Sequence, residues 1–141
     1  MNWLKKILEK AKPKKHLTNY NSGKSFDKQY YELGAFTYYD DGFTISYEDF
    51  TKKVQWSDIT QLNVYKTDLF TIDRIDMEIA YDDKCFTISE DLPGWYQFVL
   101  KTKEIFPEIP KDWDLTIMHP AFATNYTTIY DKIKANYTNI T

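Results

Sequence analysis

The residues that could perform chemistry are few and widely spaced along the chain. The 141 residues include two histidines, His16 and His119, and one cysteine, Cys85. The two histidines are too far apart in sequence for a local metal motif, and Cys85 has no histidine nearby to activate its thiol. The four glycines form neither a phosphate-binding loop nor a dinucleotide fingerprint. A catalytic site would need residues that only the fold brings together, so we predict a protein that is not an enzyme and carries no cofactor.

Carboxylates are plentiful, and three of them lie close together in the segment Lys66–Asp76. Asp68, Asp73 and Asp76 fall within nine residues. Their spacing does not match an EF-hand, which also needs a glycine at the turn and a closing glutamate. We therefore predict no metal site and interpret the segment as a solvated connection between strands. At the end of this segment Arg74 and Asp76 alternate with Ile75 and Met77, which places them on the face of a strand opposite its buried face.

The stretch Gly42–Phe106 dominates the prediction of the fold. Apolar residues alternate with polar ones in residues 43–47, 62–64, 74–81 and 86–88. This period of two is typical of strands that bury one face. We expect an α+β protein in which a curved antiparallel β-sandwich, or partly open barrel, is closed by one amphipathic helix.

That helix is predicted over Leu92–Phe106, where the apolar period changes to the helical one and Pro107 ends the run. Its apolar stripe comprises Trp95, Phe98, Val99, Thr102 and Ile105 or Phe106. Ser89 or Asp91 is placed to cap the N-terminus of the helix. Gly94 would let the backbone pack closely while Trp95 enters the core.

Turn residues divide the remaining chain. The sequence Asp-Asp-Gly at residues 40–42, between two alternating runs, is a strong signal for a β-hairpin. Further turns are expected around Glu48–Lys52 and at residues 82–83. We expect the first strand to begin within Tyr30–Leu33. Leu115 and Ile117, two positions apart, suggest another strand near the C-terminus.

Charge separates the chain into two parts. Residues 1–28 carry eight lysines and two acidic residues, a net charge of +6, whereas the remainder carries −9. We interpret residues 1–28 as a basic amphipathic helix and polar linker, and residues 29–141 as a single domain. The helix could lie on an anionic membrane through residues 1–15 or could pack on the domain. Its candidate membrane contacts are Trp3, Leu4, Lys5, Lys6 and Ile7.

Several short motifs resemble those of a known protein group. The corner Trp56-Ser-Asp-Ile59, followed by the predicted terminal helix, resembles small bacterial pleckstrin-homology-like and GRAM-like domains over about Gly34–Phe106. The motifs EDLPGW, FPEIP-x-x-W and HPAFATNYTTIY together resemble a family of this fold over about Trp56–Tyr130. This resemblance implies that the chain is an immunity protein of a polymorphic toxin system. The resemblance implies no catalytic residues in this chain.

These observations predict a cytoplasmic binding protein. The lone cysteine favours a reducing compartment, and the N-terminus lacks the continuous apolar run of a signal peptide. An immunity-type inhibitor would use its acidic body to meet a basic toxin domain, with Glu48, Asp49, Asp82 and Asp83 as candidate contacts. The alternative is a peripheral membrane or lipid-binding module anchored by the N-terminal helix. Phosphoinositide binding by the barrel is disfavoured, because such a site needs basic residues near the first hairpin and residues 40–41 are both acidic. Nucleic-acid binding is disfavoured because the domain is acidic.

Overall fold

Two antiparallel sheets and four α-helices form the part of the chain that the computed structural model describes, residues 25–140. In chain order the elements are α1 (Phe26–Tyr31), β1 (Phe36–Tyr38), β2 (Gly42–Tyr47), β3 (Phe50–Gln55), a 3-10 helix (Trp56–Asp58), β4 (Ile59–Asp68), β5 (Asp73–Tyr81), β6 (Lys84–Ser89), α2 (Trp95–Ile105), α3 (Trp113–Thr116), β7 (Thr127–Asp131) and α4 (Lys132–Ile140). The predicted α+β class with antiparallel sheets is confirmed.

The first sheet has the order β1-β2-β3, and the predicted hairpin joins its first two strands. Tyr38 pairs with Phe43 across the turn at residues 39–41. Gly42 is required here, because a Cβ at this position would lie 2.1 Å from the carbonyl oxygen of Val54. The next turn falls at Glu48–Asp49, so β3 begins earlier than the sequence indicated.

The expected start of the first strand within Tyr30–Leu33 is wrong. Tyr30 and Tyr31 end α1, which begins after the N-cap Ser25 and crosses the boundary expected between residues 28 and 29. The Gln97 side chain in α2 donates a hydrogen bond to the carbonyl oxygen of Tyr30 at 2.6 Å. Tyr30 and Tyr31 therefore lie on a helix that packs against α2, and this packing outweighs their intrinsic preference for a strand.

The second sheet has the order β6-β5-β4-β7. Its strands β5 and β6 are joined by the predicted tight turn at Asp82–Asp83, where Asp82 has a left-handed φ of 51°. The last strand, β7, arrives from the C-terminal part of the chain and pairs antiparallel with β4, so that Val64 faces Thr127. The main chain of Asp82 also bonds the corner after β3, since its N–H donates to the Asp58 carbonyl oxygen at 3.2 Å.

Helix α2 closes the core as predicted. Phe98 is fully buried, with its ring 4.5 Å from that of Phe36 and 5.0 Å from that of Phe43, centroid to centroid. Trp56 is also buried, and its ring lies 6.3 Å from that of Phe98. The corner predicted at Trp56 therefore supplies an aromatic wall of the core against which α2 packs.

The start of α2 differs from the prediction. The helix begins at Trp95, after Gly94 in a left-handed conformation with φ 95°, and no side chain caps it. The Ser89 hydroxyl instead bonds the Asp91 carboxylate. A Cβ on Gly94 would lie 2.2 Å from the carbonyl oxygen of Leu33, so the close backbone approach expected of this glycine is confirmed.

The C-terminal part of the chain was partly mispredicted. Trp113 and Ile117 are buried, whereas Leu115 is 71% exposed. The structure places these residues on and beside α3, a single helical turn, rather than on a strand. Trp113 and Ile117 are four residues apart, the spacing that aligns two side chains on one helical face. Helix α2 is followed by α3, β7 and α4, so it is not the last element of the fold.

Candidate protein-interaction site

Three charged residues of the β4–β5 hairpin are buried at the end where the two strands are joined. Lys66, Arg74 and Asp76 are each less than 5% exposed. The interpretation of Lys66–Asp76 as a solvated connection is therefore wrong for these three residues. Residues 117–126, which we call the covering segment, contact Lys66 on the face of the sheet that also carries Ile75, whereas Arg74 and Asp76 lie on the opposite face.

Lys66 attaches the covering segment to the hairpin. Its Nζ donates hydrogen bonds to the carbonyl oxygens of Met118, at 3.1 Å, and Pro120, at 2.5 Å. The same Nζ lies 3.3 Å from Oδ2 of Asp73. Asn125 stabilises the covering segment internally, because its side chain donates hydrogen bonds to the carbonyl oxygens of Ile117 and His119. A buried ammonium with three oxygen partners has replaced its water ligands with protein ones.

A second ion pair lies on the opposite face of the same end of the hairpin. The Arg74 guanidinium forms two hydrogen bonds with the Asp76 carboxylate, at 2.8 and 2.9 Å. The Thr67 hydroxyl donates to the same carboxylate at 2.6 Å. The nearby Glu90 carboxylate accepts a hydrogen bond from the Ile75 N–H at 2.9 Å, and its burial raises the pKa of this carboxyl group above its ordinary value. Both basic side chains of the hairpin end are therefore neutralised inside the protein.

Four large apolar residues are exposed near the Lys66–Asp73 ion pair. We call Phe70, Ile72, Met118 and Phe122 the apolar ridge; Phe70 is 94% exposed and Phe122 56%. The hairpin loop supplies Phe70 and Ile72, and the covering segment supplies Met118 and Phe122. The Lys66 contacts to residues 118 and 120 bring the two loops together. Exposed apolar residues gathered on two adjoining loops are typical of interaction sites.

The backbone of the apolar ridge is strained and fixed. Phe70 and Phe122 have φ angles of 74° and 62°, in the left-handed region that bulky residues rarely adopt. The N–H of Phe70 donates to Oδ1 of Asp68, and the N–H of Phe122 donates to Oδ2 of Asp73, each at 2.7 Å. Such a conformation costs about 1–3 kcal/mol and persists only where surrounding contacts enforce it. The two aromatic side chains are thus presented to solvent from backbone positions that carboxylate hydrogen bonds hold in place.

Tyr126 extends this face along the sheet. Its ring stacks on that of Tyr65 with centroids 5.9 Å apart, and its hydroxyl donates to the Glu78 carboxylate at 2.6 Å. The hydrogen bond to Glu78 raises the pKa of Tyr126 to about 12, so the phenol remains a neutral donor at ordinary pH. The face therefore offers aromatic area with a fixed polar group beside it.

The structure does not bring the predicted acidic contacts together. Glu48 and Asp49 form the turn after β2, at the end of the first sheet opposite Gly42. Asp82 and Asp83 form the turn after β5, next to the corner that follows β3, which lies at the Gly42 end. The two turns thus lie at opposite ends of the fold. The candidate membrane contacts at residues 3–7 lie outside the described residues.

The residues considered for chemistry remain dispersed. Cys85 is half-buried on β6, and His119 is exposed in the segment after α3. Within residues 25–140, no group of three or more histidine, cysteine, aspartate or glutamate side chains is arranged to hold a metal ion. In the same part of the chain, no helix is long and apolar enough to cross a membrane.

Sequence reasoning missed the apolar ridge, although a signal was present. Phe70 and Ile72 lie in a turn segment between Asp68 and Asp73, where polar residues are the rule. Two large apolar residues in such a turn indicate either a covered loop or an interaction site. Comparisons with protein-family models, curated proteins and solved structures found no match.

Proposed function

We propose that the chain is a non-catalytic protein that binds another protein through the apolar ridge. The observation that carries this proposal is the pair of exposed phenylalanines, Phe70 and Phe122, each held in a left-handed conformation by a carboxylate. A free protein gains nothing from such an arrangement, because both the strain and the exposure of apolar area are unfavourable. A partner that covers the rings would recover the free energy of burying them.

The charges around the apolar ridge favour a basic partner. Lys66 and Arg74 are buried in ion pairs, while Asp68 at the base of the ridge is exposed. The chain beyond residue 28 has a net charge of −9, which would steer a cationic surface toward the ridge. The same charge repels anionic lipid, which disfavours a membrane as the ligand of this face.

The most concrete form of this proposal is an immunity-type inhibitor of a bacterial toxin. In this form the two sheets and α2 make a pleckstrin-homology-like sandwich that serves as scaffold. The acidic turns at Glu48–Asp49 and Asp82–Asp83 add to the long-range attraction of a basic toxin domain, and the apolar ridge makes the central contact. Nothing in this mechanism requires a cofactor, a metal or a catalytic residue.

The test uses a substitution that removes the ridge without harming the fold. Asparagine tolerates the left-handed region far better than phenylalanine, so Phe70→Asn with Phe122→Asn should preserve or raise stability. The full chain, wild type and variant, is used to capture proteins from lysate of the native organism. Tyr31→Ser, at a residue 72% exposed on α1, is the matched control.

We expect one protein with a basic domain to be captured by the wild type and by the Tyr31→Ser control. The double variant should lose at least tenfold of that binding while its melting temperature does not fall. Equal capture by the double variant would refute the ridge as the binding site. Binding of the full chain to anionic vesicles, lost on removal of residues 1–28 and without any ridge-dependent protein partner, would favour the membrane alternative instead.

A further inference from the structure

Strand β7 forms an edge of the four-stranded sheet. It pairs with β4 on one side, and on the other side no strand of the described part of the chain lies beside it. An edge strand presents a row of main-chain N–H and C=O groups that the sheet leaves unpaired. The five residues of β7, Thr127–Asp131, are long enough to pair with an added segment.

A groove runs along this edge strand. Its larger part, about 520 Å³, lies between α3 and β7 and has a floor of the buried residues Val64, Trp113, Ile117 and Ile129. A smaller hollow of about 190 Å³ is lined by four consecutive residues of β7, Thr128–Asp131. Ile129 of β7 lines both hollows. The larger volume is within the range that protein pockets use to hold a ligand group.

The charges along the groove select the kind of ligand. Asp112 lines the larger part, which has no lysine or arginine in its wall. Glu108 and Asp131 line the smaller hollow together with Lys134. The groove is therefore acidic overall with an apolar floor. Its ligand should combine an apolar group with positive charge on either side of it.

We propose that an extended segment of a partner protein binds by adding a strand to the free edge of β7. The main chain of the segment pairs with β7, and an apolar side chain enters the groove over Trp113 and Ile117. Basic residues on either side of that side chain meet Asp112 and Glu108. Main-chain pairing supplies affinity and the groove supplies selectivity, as in other strand-addition complexes.

This second site is separate from the apolar ridge, because the ridge residues do not line the groove. Strand addition therefore goes beyond the function proposed above and can fail or succeed independently of it. Both sites include residues of the segment after α3, so a single large partner could contact both.

The test selects ligands from a displayed library of random peptides, using the full chain as the target. Two variants disrupt the groove: Thr116→Trp places an indole on its wall, and Asp112→Lys reverses its charge. Thr37→Trp on β1 and Asp40→Lys in the turn before β2 are the matched controls, since both residues are exposed and absent from the groove. The enriched peptide is then added to labelled protein, and amide hydrogen exchange is followed by NMR.

We expect enriched peptides to carry a central apolar residue with lysine or arginine nearby. Their affinity should fall at least tenfold with each groove variant and change less than twofold with each control. Amides of β7 should gain exchange protection when the peptide binds. The Phe70→Asn/Phe122→Asn variant should bind these peptides normally, which separates this site from the ridge.

Three results would overturn strand addition. In the first, selection on the wild-type chain enriches no peptide beyond those enriched on the Thr116→Trp variant. In the second, the enriched peptides bind without protecting β7 amides from exchange. A dimer of the full chain that is disrupted by Thr116→Trp would show instead that a second copy occupies the edge.

Discussion

Replacing Lys66 by methionine removes the ammonium group that joins the β4–β5 hairpin to the covering segment. Methionine has a similar length and fills the same space without the charge. The variant leaves the carbonyl oxygens of Met118 and Pro120 without this donor. It also leaves Asp73, whose side chain is 8% exposed, without its ammonium partner. The substitution therefore tests whether this buried charge fastens the apolar ridge to the fold.

The magnitude follows from the geometry. At 3.3 Å between Nζ and Oδ2, with an effective dielectric constant of about 20, the attraction is about 5 kcal/mol before the cost of desolvation. Removing one member of a buried pair destabilises proteins by about 3–5 kcal/mol, because the other charge remains buried. The Phe122 N–H still donates to Asp73, which reduces the loss. We expect Lys66→Met to lower the free energy of unfolding by about 3 kcal/mol.

Urea unfolding followed by tryptophan fluorescence measures this loss. Asp73→Asn and the double variant complete a double-mutant cycle. The loss of stability in the double variant should be smaller than the sum of the two single losses by about 1 kcal/mol or more. Lys101→Met, in a partly exposed pair with Glu104 on α2, is the control and should cost less than about 1 kcal/mol. A loss below about 1 kcal/mol for Lys66→Met, or additive losses in the cycle, would refute the reasoning.

Three further substitutions test the packing and the electrostatics of the fold. Gly94→Ala should cost about 2–3 kcal/mol in a thermal melt, because its Cβ would meet the Leu33 carbonyl oxygen in a left-handed conformation; a wild-type melting temperature would contradict this. Phe98→Ala should cost about 3–5 kcal/mol in urea unfolding, whereas Leu100→Ala, at a residue 40% exposed on the same helix, should cost much less; equal losses would argue against the packing described. Burial raises the pKa of Glu90, so the folded state binds more protons than the unfolded state just above the ordinary carboxyl pKa, and stability falls as pH rises through that interval. Glu90→Gln should remove that fall in urea unfolding measured against pH, and an unchanged slope would show that another group causes it.

Elements whose partners are close in sequence were predictable from local spacing. The hairpin at residues 40–42 and the turn at Asp82–Asp83 follow from turn chemistry that acts over a few residues. The buried stripe of α2 follows from a single helical period. In these segments local propensity and tertiary packing favour the same structure.

The candidate interaction site was not predictable, because its cover comes from a distant part of the chain. Lys66 continues the core-facing row of Leu62 and Val64 on β4, and its carbonyl partners at Met118 and Pro120 lie 52 and 54 residues later in the chain. The covering segment lies after α3, whose single turn was mistaken for a strand because Leu115 and Ile117 are two residues apart. No local period distinguishes a polar face that meets water from one that meets a later loop.

The late position of β7 in the chain has a consequence for the order of folding. Thr127 pairs with Val64, so β4 lacks its second neighbour until the ribosome has added the residues between them. At about 5–20 residues per second this takes roughly 3–13 s, during which β4 is an open edge beside an apolar core. Contacts so distant in sequence also slow the final closure of a sheet. A nascent chain stopped before Thr127 would be prone to aggregation, and the growing chain is most in need of a chaperone in that interval.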